Sequence, residues 1–250
     1  MRKKIIIGNW KMNKPPSKAK ILTKALSFAV PEDREVVICP PFVSLDVVKK
    51  MLKGRKIKLG AQNMYFEESG AYTGEISALM LSEMGVSHVL VGHSERRAIF
   101  HETNKEINKK LKIALEYKFT PVFCVGESLE EREGHMTEKV IERQLREGLD
   151  GLKKSDVLKM VIAYEPVWAI GSGQTATAKQ AVEVHKHIRA FLSRLYDKEL
   201  SEEIRIIYGG SVKPDNVDEL MSKPDIDGVL PGGASLDAAK FTRIVGFKAK

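Results

Sequence analysis

Apolar residues along this chain gather in short runs. Eight stand out, at Ile5–Gly8, Glu35–Cys39, Ile57–Ala61, His88–Gly92, Pro121–Gly126, Met160–Glu165, Ile204–Gly209 and Ile226–Leu230. Each is four to six residues long and rich in β-branched residues, the signature of a strand. Between the runs the period changes. Ile107, Leu111, Ala114 and Leu115 in one segment, and Val182, His185, Ile188, Ala190, Leu192 and Leu195 in another, follow the spacing of an amphipathic helix. Thr103-Asn104-Lys105-Glu106 and Thr177-Ala178-Lys179-Gln180 each place a hydroxyl three residues before a carboxyl or amide, a pair that satisfies the free N–H groups of a first helical turn. Strand and helix therefore alternate. Because the runs are apolar throughout, both faces of each strand are expected to be covered, as in a parallel sheet with helical crossovers. With no linker or composition break, residues 1–250 are expected to form one α/β domain, a (β/α)8 barrel. An open doubly wound sheet fits the same pattern.

Composition narrows the class of protein. The 250 residues are 43% hydrophobic and 30% charged, which excludes a disordered or collagen-like chain. Forty-one Lys+Arg against 33 Asp+Glu leave a net charge of +8, but the lysines are spread over helical faces and no aromatic-basic stripe or nucleic-acid motif occurs. No nucleic acid is expected as a partner. No apolar run approaches the ~20 residues of a membrane helix, and nothing after Met1 reads as a signal peptide. Cys39 and Cys124 are too few for a disulfide framework, so a cytoplasmic protein without a membrane partner is expected.

The unusual residues crowd just after the strands. Asn9, Trp10 and Lys11 follow the first run, Gln62 and Asn63 the third, His93, Ser94 and Glu95 the fourth, and Glu127 the fifth. Glu165 and Pro166 end the sixth, Gly209-Gly210-Ser211 the seventh, and Pro231-Gly232-Gly233 the eighth. In a parallel barrel these positions share one rim, where loops converge on a ligand. Paired glycines let bare backbone approach a ligand, and a helix start behind them aims N–H groups at an anion. Two such pairs on strands seven and eight point to phosphate. Glu165, held extended by the following proline and facing apolar walls, could act as a general base, although taken alone it reads better as a surface glutamate starting a loop. The stretch from Val167 to Thr175 is apolar first and small afterwards, the make-up of a lid over substrate. His93 lies between a strand and a helix start, whose N–H dipoles favour a neutral imidazole.

Metal and dinucleotide chemistry find no support. His185 and His187 are two apart on a helix and face apart, neither H-E-x-x-H nor C-x-x-C occurs, and no G-x-G-x-x-G follows the first strand.

Taken in order, Gly8-Asn9-Trp10-Lys11-Met12, Gly60-Ala61-Gln62-Asn63, Gly70 to Ser77, Val91-Gly92-His93-Ser94-Glu95-Arg96-Arg97, Cys124-Val125-Gly126-Glu127, Ala163 to Gly173, Tyr208-Gly209-Gly210-Ser211-Val212 and Gly232-Gly233-Ala234-Ser235-Leu236 carry a resemblance. Over nearly its whole length the chain resembles the triosephosphate isomerases. The resemblance implies a TIM barrel that interconverts dihydroxyacetone phosphate and D-glyceraldehyde 3-phosphate through an enediolate, with no metal or cofactor. It implies Glu165 as the proton-carrying base, His93 as the group that polarises the carbonyl, and Lys11 and Asn9 as stabilisers of the developing charge, with Glu95 supporting them. It implies a phosphate grip by the N–H groups of Gly171, Ser211, Gly232 and Gly233. The lid would be Pro166, Val167, Trp168, Ala169, Ile170, Gly171, Ser172, Gly173, Gln174 and Thr175. A homodimer is implied as well, with Thr73 at the tip of a loop that reaches the neighbour's Asn9 and Lys11.

One departure is Pro231, where the family usually has valine. It removes an N–H where strand eight meets the phosphate, but the implied contacts use the glycines, so binding is expected to survive. Other readings of the same rim are a Schiff-base aldolase using Lys11 and a non-catalytic scaffold. Ten Asn+Gln in total beside abundant Lys and Glu resembles thermophile usage.

Overall fold

The computed structural model describes residues 2–170 and 175–248. The expected strands are present as β1 (Lys4–Asn9), β2 (Arg34–Cys39), β3 (Ile57–Ala61), β4 (His88–Val91), β5 (Thr120–Val125), β6 (Val161–Tyr164), β7 (Arg205–Tyr208) and β8 (Gly228–Val229). They pair in parallel in sequence order, and the sheet closes where Ile5 and Ile6 of β1 lie beside Gly228 and Val229 of β8. Closure settles the choice between barrel and open sheet. Helices fill the crossovers, including Asn104–Glu116 and Ala178–Leu195 with both expected capping pairs formed.

Alternate strand residues serve two cores, which is why the runs are apolar throughout. Ile5, Ile7, Val37, Cys39, Leu90, Val122, Cys124, Ala163 and Ile207 fill one cluster, the barrel interior. Ile6, Val36, Ile38, Val89, Phe123, Ile162 and Ile206 point the other way and pack in the cluster that includes the helices. Two glycines permit the closest strand contacts. A Cβ on Gly228 would stand 1.9 Å from the Ile5 carbonyl oxygen, and one on Gly126 would stand 1.8 Å from that of Glu165.

Two expectations need correction. The eighth strand is a two-residue ladder rather than Ile226–Leu230. Pro231 still accepts a hydrogen bond from the Asn9 N–H (3.0 Å) but has no N–H to return, so the ladder ends before it. On the helix Ala178–Leu195, Ala190 and Leu195 are exposed, while Val184 and Phe191 belong to the buried face. His185, Ile188 and Leu192 lie on the core-facing stripe as expected, and Ala178, Ala181, Val184 and Phe191 complete it.

The end of the barrel at the strand starts is sealed by charge. Glu35 of β2 accepts from Lys58 (2.6 Å) and Arg205 (2.7 Å), and His88 Nε2 lies 3.3 Å from it. Burial alone would push the Glu35 carboxyl up, but these partners override it and hold the group well below the usual carboxylate range.

Candidate active site

At the other end, where the strands finish, the loops enclose a cavity of about 620 Å³. Asn9, Lys11 and His93 line it together with Gly209 to Asp215, Gly232 and Gly233, and a Cβ on Gly232 would stand 3.2 Å from Lys11 Cε. Six of the residues expected around a phosphorylated substrate are therefore brought together: Asn9, Lys11, His93, Ser211, Gly232 and Gly233. Gly171 lies outside the described residues, as do Ser172, Gly173 and Gln174.

Lys11 holds a left-handed backbone conformation, φ 50°, which a non-glycine residue adopts at a cost. Its surroundings impose it. The Lys11 N–H donates to Asn9 Oδ1 (3.0 Å), and Gln62 Nε2 donates both to the Lys11 carbonyl (2.9 Å) and to the Cys39 carbonyl (2.8 Å). The ammonium then reaches Glu95 Oε1 at 2.5 Å. Glu95 thus ties the lysine to the His93 segment, and Gln62, given no role by the sequence, fixes the lysine's backbone.

His93 caps the short helix Ser94–Ile99, with Nδ1 accepting from the Glu95 N–H at 3.2 Å. An acceptor at Nδ1 leaves the ring proton on Nε2. That nitrogen lies 3.1 Å from Glu165 Oε1, which has no hydrogen-bond partner among the described residues. The other carboxylate oxygen accepts from the Ser94 N–H at 2.7 Å. Glu165 is 1% exposed and stands behind the cavity wall rather than on it. Gly209 gives it room, since a Cβ there would meet Glu165 Cγ at 2.8 Å.

The first half of the expected lid is not an exposed tip. Val167–Ala169 forms one turn of 3-10 helix, with Ala169 buried and the Val167 N–H donating to the Glu127 carbonyl (3.1 Å). The fully buried Glu127 Oε1 accepts from Trp168 Nε1 (2.9 Å), the Tyr164 hydroxyl (3.0 Å) and Arg132 (3.2 Å). Glu127 is a residue whose role went unread. Its place directly after β5 was the available signal. Thr73 stands exposed on the loop closed by the Tyr65 N–H to Ile76 carbonyl bond (2.8 Å), away from the cavity of its own chain.

Known proteins match this combination throughout. The triosephosphate isomerase family model covers residues 4–248. The triosephosphate isomerase of Dictyoglomus thermophilum is 54% identical over 248 residues, 98% of this chain and 99% of that one. Those of Clostridium botulinum (strain ATCC 19397 / Type A) and Thermoanaerobacter pseudethanolicus are each 53% identical over 248 residues, 99% of this chain and 100% of theirs. These matches set aside the aldolase and scaffold readings. With its closed barrel and its rim of Asn9, Lys11, His93 and Glu165, the chain belongs to the triosephosphate isomerase family and interconverts dihydroxyacetone phosphate and D-glyceraldehyde 3-phosphate.

Proposed function

We propose that Glu165 is the base of this isomerisation and that His93, Lys11 and Asn9 stabilise the enediolate. The observation that carries the assignment is the 3.1 Å approach of His93 Nε2 to Glu165 Oε1 at the edge of a cavity that also holds Lys11. In this reading Glu165 leaves the Ser94 N–H and turns past Gly209 into the cavity. It takes a proton from the substrate's hydroxymethyl carbon while His93 Nε2–H donates to the neighbouring carbonyl oxygen. The C–H electron pair becomes the C=C bond of the enediolate, and the carbonyl pair goes to oxygen. Return of the proton to the adjacent carbon, with a hydroxyl proton passed back through His93, gives the aldehyde. Lys11 supplies positive charge next to the oxygens as that charge develops, which lowers the barrier more than it tightens the ground state. Glu95 holds Lys11 in register.

The phosphate is assigned to the N–H groups of Ser211, Gly232, Gly233 and Gly171, the last outside the described residues. Gly233 opens a 3-10 turn with Gly232 before it, so its N–H is free for an anion. The segment Pro166 to Thr175 is assigned as the lid. It excludes water and keeps the enediolate from losing phosphate.

Residues 1–250 are assigned as one catalytic barrel domain that works as a homodimer. Tyr72, 41% exposed on the loop that carries Thr73, and the exposed Met12 and Phe100, 95% and 63%, support the dimer as large apolar side chains left open to solvent. Among the described residues no helix is long and apolar enough to cross a membrane, and two buried free cysteines fit the cytoplasm.

A coupled assay on dihydroxyacetone phosphate tests the assignment. Glu165→Gln is expected to lower kcat at least about 100-fold with KM little changed. Activity equal to the parent enzyme would move the base elsewhere.

A further inference from the structure

The loop after β7 runs along the cavity from Gly209 to Asp215, and the next residue, Asn216, lies outside the cavity lining. Its side chain nevertheless engages the wall at two points. Oδ1 accepts from the Lys213 N–H at 2.8 Å, and Nδ2 donates to the Ser211 carbonyl at 3.0 Å. The Asn216 and Val217 N–H groups return to the Lys213 carbonyl at 3.3 and 3.2 Å. The turn from Ser211 to Lys213 is thus closed by a side chain on both its donor and its acceptor ends.

Three features make that closure matter for an anion. Ser211 follows Gly209-Gly210, the two residues of the loop with the greatest backbone freedom. Beyond it Val212 is 5% exposed and fixed in the core, so the free play of the glycines ends at the Ser211–Lys213 turn. The Ser211 carbonyl, on the same residue as the Ser211 N–H, is also a backbone dipole of the wrong sign for a phosphate held there. An amide donor on that oxygen pins it and offsets its negative end.

We propose that Asn216 is a positioning residue for the substrate phosphate: it touches no substrate atom, and it holds the Ser211–Lys213 turn so that Ser211 presents its N–H, and not its carbonyl, to the anion. The proposal rests on the assignment of Ser211, Gly232 and Gly233 to the phosphate. It deepens that assignment by naming the side chain that sets the geometry of one of its donors.

The test separates phosphate from the rest of the substrate. Asn216→Ala is compared with the parent enzyme in three measurements: KM for D-glyceraldehyde 3-phosphate, the competitive inhibition constant of inorganic phosphate, and kcat/KM for unphosphorylated D-glyceraldehyde. The expected result is a rise of about tenfold in both KM and the phosphate inhibition constant, with kcat and the unphosphorylated reaction within about twofold. Equal losses on both substrates, or an unchanged phosphate constant, would overturn the proposal. Asn216→Ser, which keeps an acceptor for the Lys213 N–H but cannot span to the Ser211 carbonyl, gives the same readout should the alanine variant fold poorly. Gly233→Pro is the control for the underlying assignment. It removes a phosphate-facing N–H at the first position of a helical turn, where proline is tolerated and a Cβ meets nothing within 4 Å. If Gly233→Pro weakens phosphate and Asn216→Ala does not, the assignment stands and the role of Asn216 falls. If neither does, the assignment falls and takes that role with it.

Discussion

At the scale of single residues, Lys11 and His185 carry the sharpest expectations. Lys11 keeps φ at 50° through Asn9 and the two bonds from Gln62 Nε2. Gln62→Ala removes both of those bonds and lets the lysine relax away from Glu95. Its kcat is expected to fall about tenfold, in keeping with loss of a preorganised charge. An unchanged kcat would show that Asn9 alone suffices. His185 is fully buried on its helix, edge-on to Tyr164 and near Asp225, Asp227 and Arg189. Burial lowers its pKa to about 4 despite the opposing contact with the Asp225 carbonyl at 2.9 Å. In the unfolded chain the imidazole titrates near 6.5, so between those values the unfolded state holds the extra proton. Stability is therefore fully present above pH 6.5 and falls as the pH drops toward 4, by about 3 kcal/mol from this residue. Urea midpoints measured down that range, beside those of His185→Gln, would show the slope flattened in the variant.

At the scale of elements, two strand contacts do different work although their geometry is alike. Gly126 follows β5 and lets the chain approach the Glu165 carbonyl, while Gly228 in β8 lets the barrel close on Ile5. Alanine at either position forces backbone apart, at about 1–3 kcal/mol or more of stability. Gly126→Ala also moves Glu165, the proposed base. It is expected to lose kcat well beyond its loss of stability, whereas the well-folded fraction of Gly228→Ala should keep nearly full kcat. Active-site titration of the folded fraction separates the two. The first turn of the proposed lid is likewise an element matter. Trp168 is held through Glu127, and Glu127→Ala leaves the buried Tyr164 hydroxyl and the part-buried Trp168 and Arg132 without their carboxylate, at about 3 kcal/mol. Denaturant unfolding of that variant would measure the cost.

At the scale of the whole molecule, the net charge of +8 and a cavity lined by Lys11, Lys213 and Lys240 favour capture of a phosphorylated substrate. Raising ionic strength is expected to lower kcat/KM for the phosphorylated triose more than for D-glyceraldehyde. The low Asn+Gln content predicts a Tm above the mesophile range of about 45–65 °C, read by calorimetry. The strands and the rim residues were legible along the chain for a local reason. A strand covered on both faces is apolar over most of its length, so a polar side chain such as Asn9, His93 or Glu165 at or just beyond its end stands out. The expected face of the helix Ala178–Leu195 failed at Ala190 and Leu195, because an apolar side chain records a preference for burial and not the neighbour that covers it. The chain's own order of residues carries the local features: periodicity, caps, the glycine pairs and the chemistry available at each strand end. Which distant groups meet is set by the fold. Those are the β1–β8 seam, the Ser94 N–H that holds Glu165, Gln62 behind Lys11, Glu127 beneath Trp168 and the approach of β5 to β6 at Gly126. These contacts form only when segments far apart in the chain are brought together by closure of the barrel, and no pattern along the sequence encodes that distance.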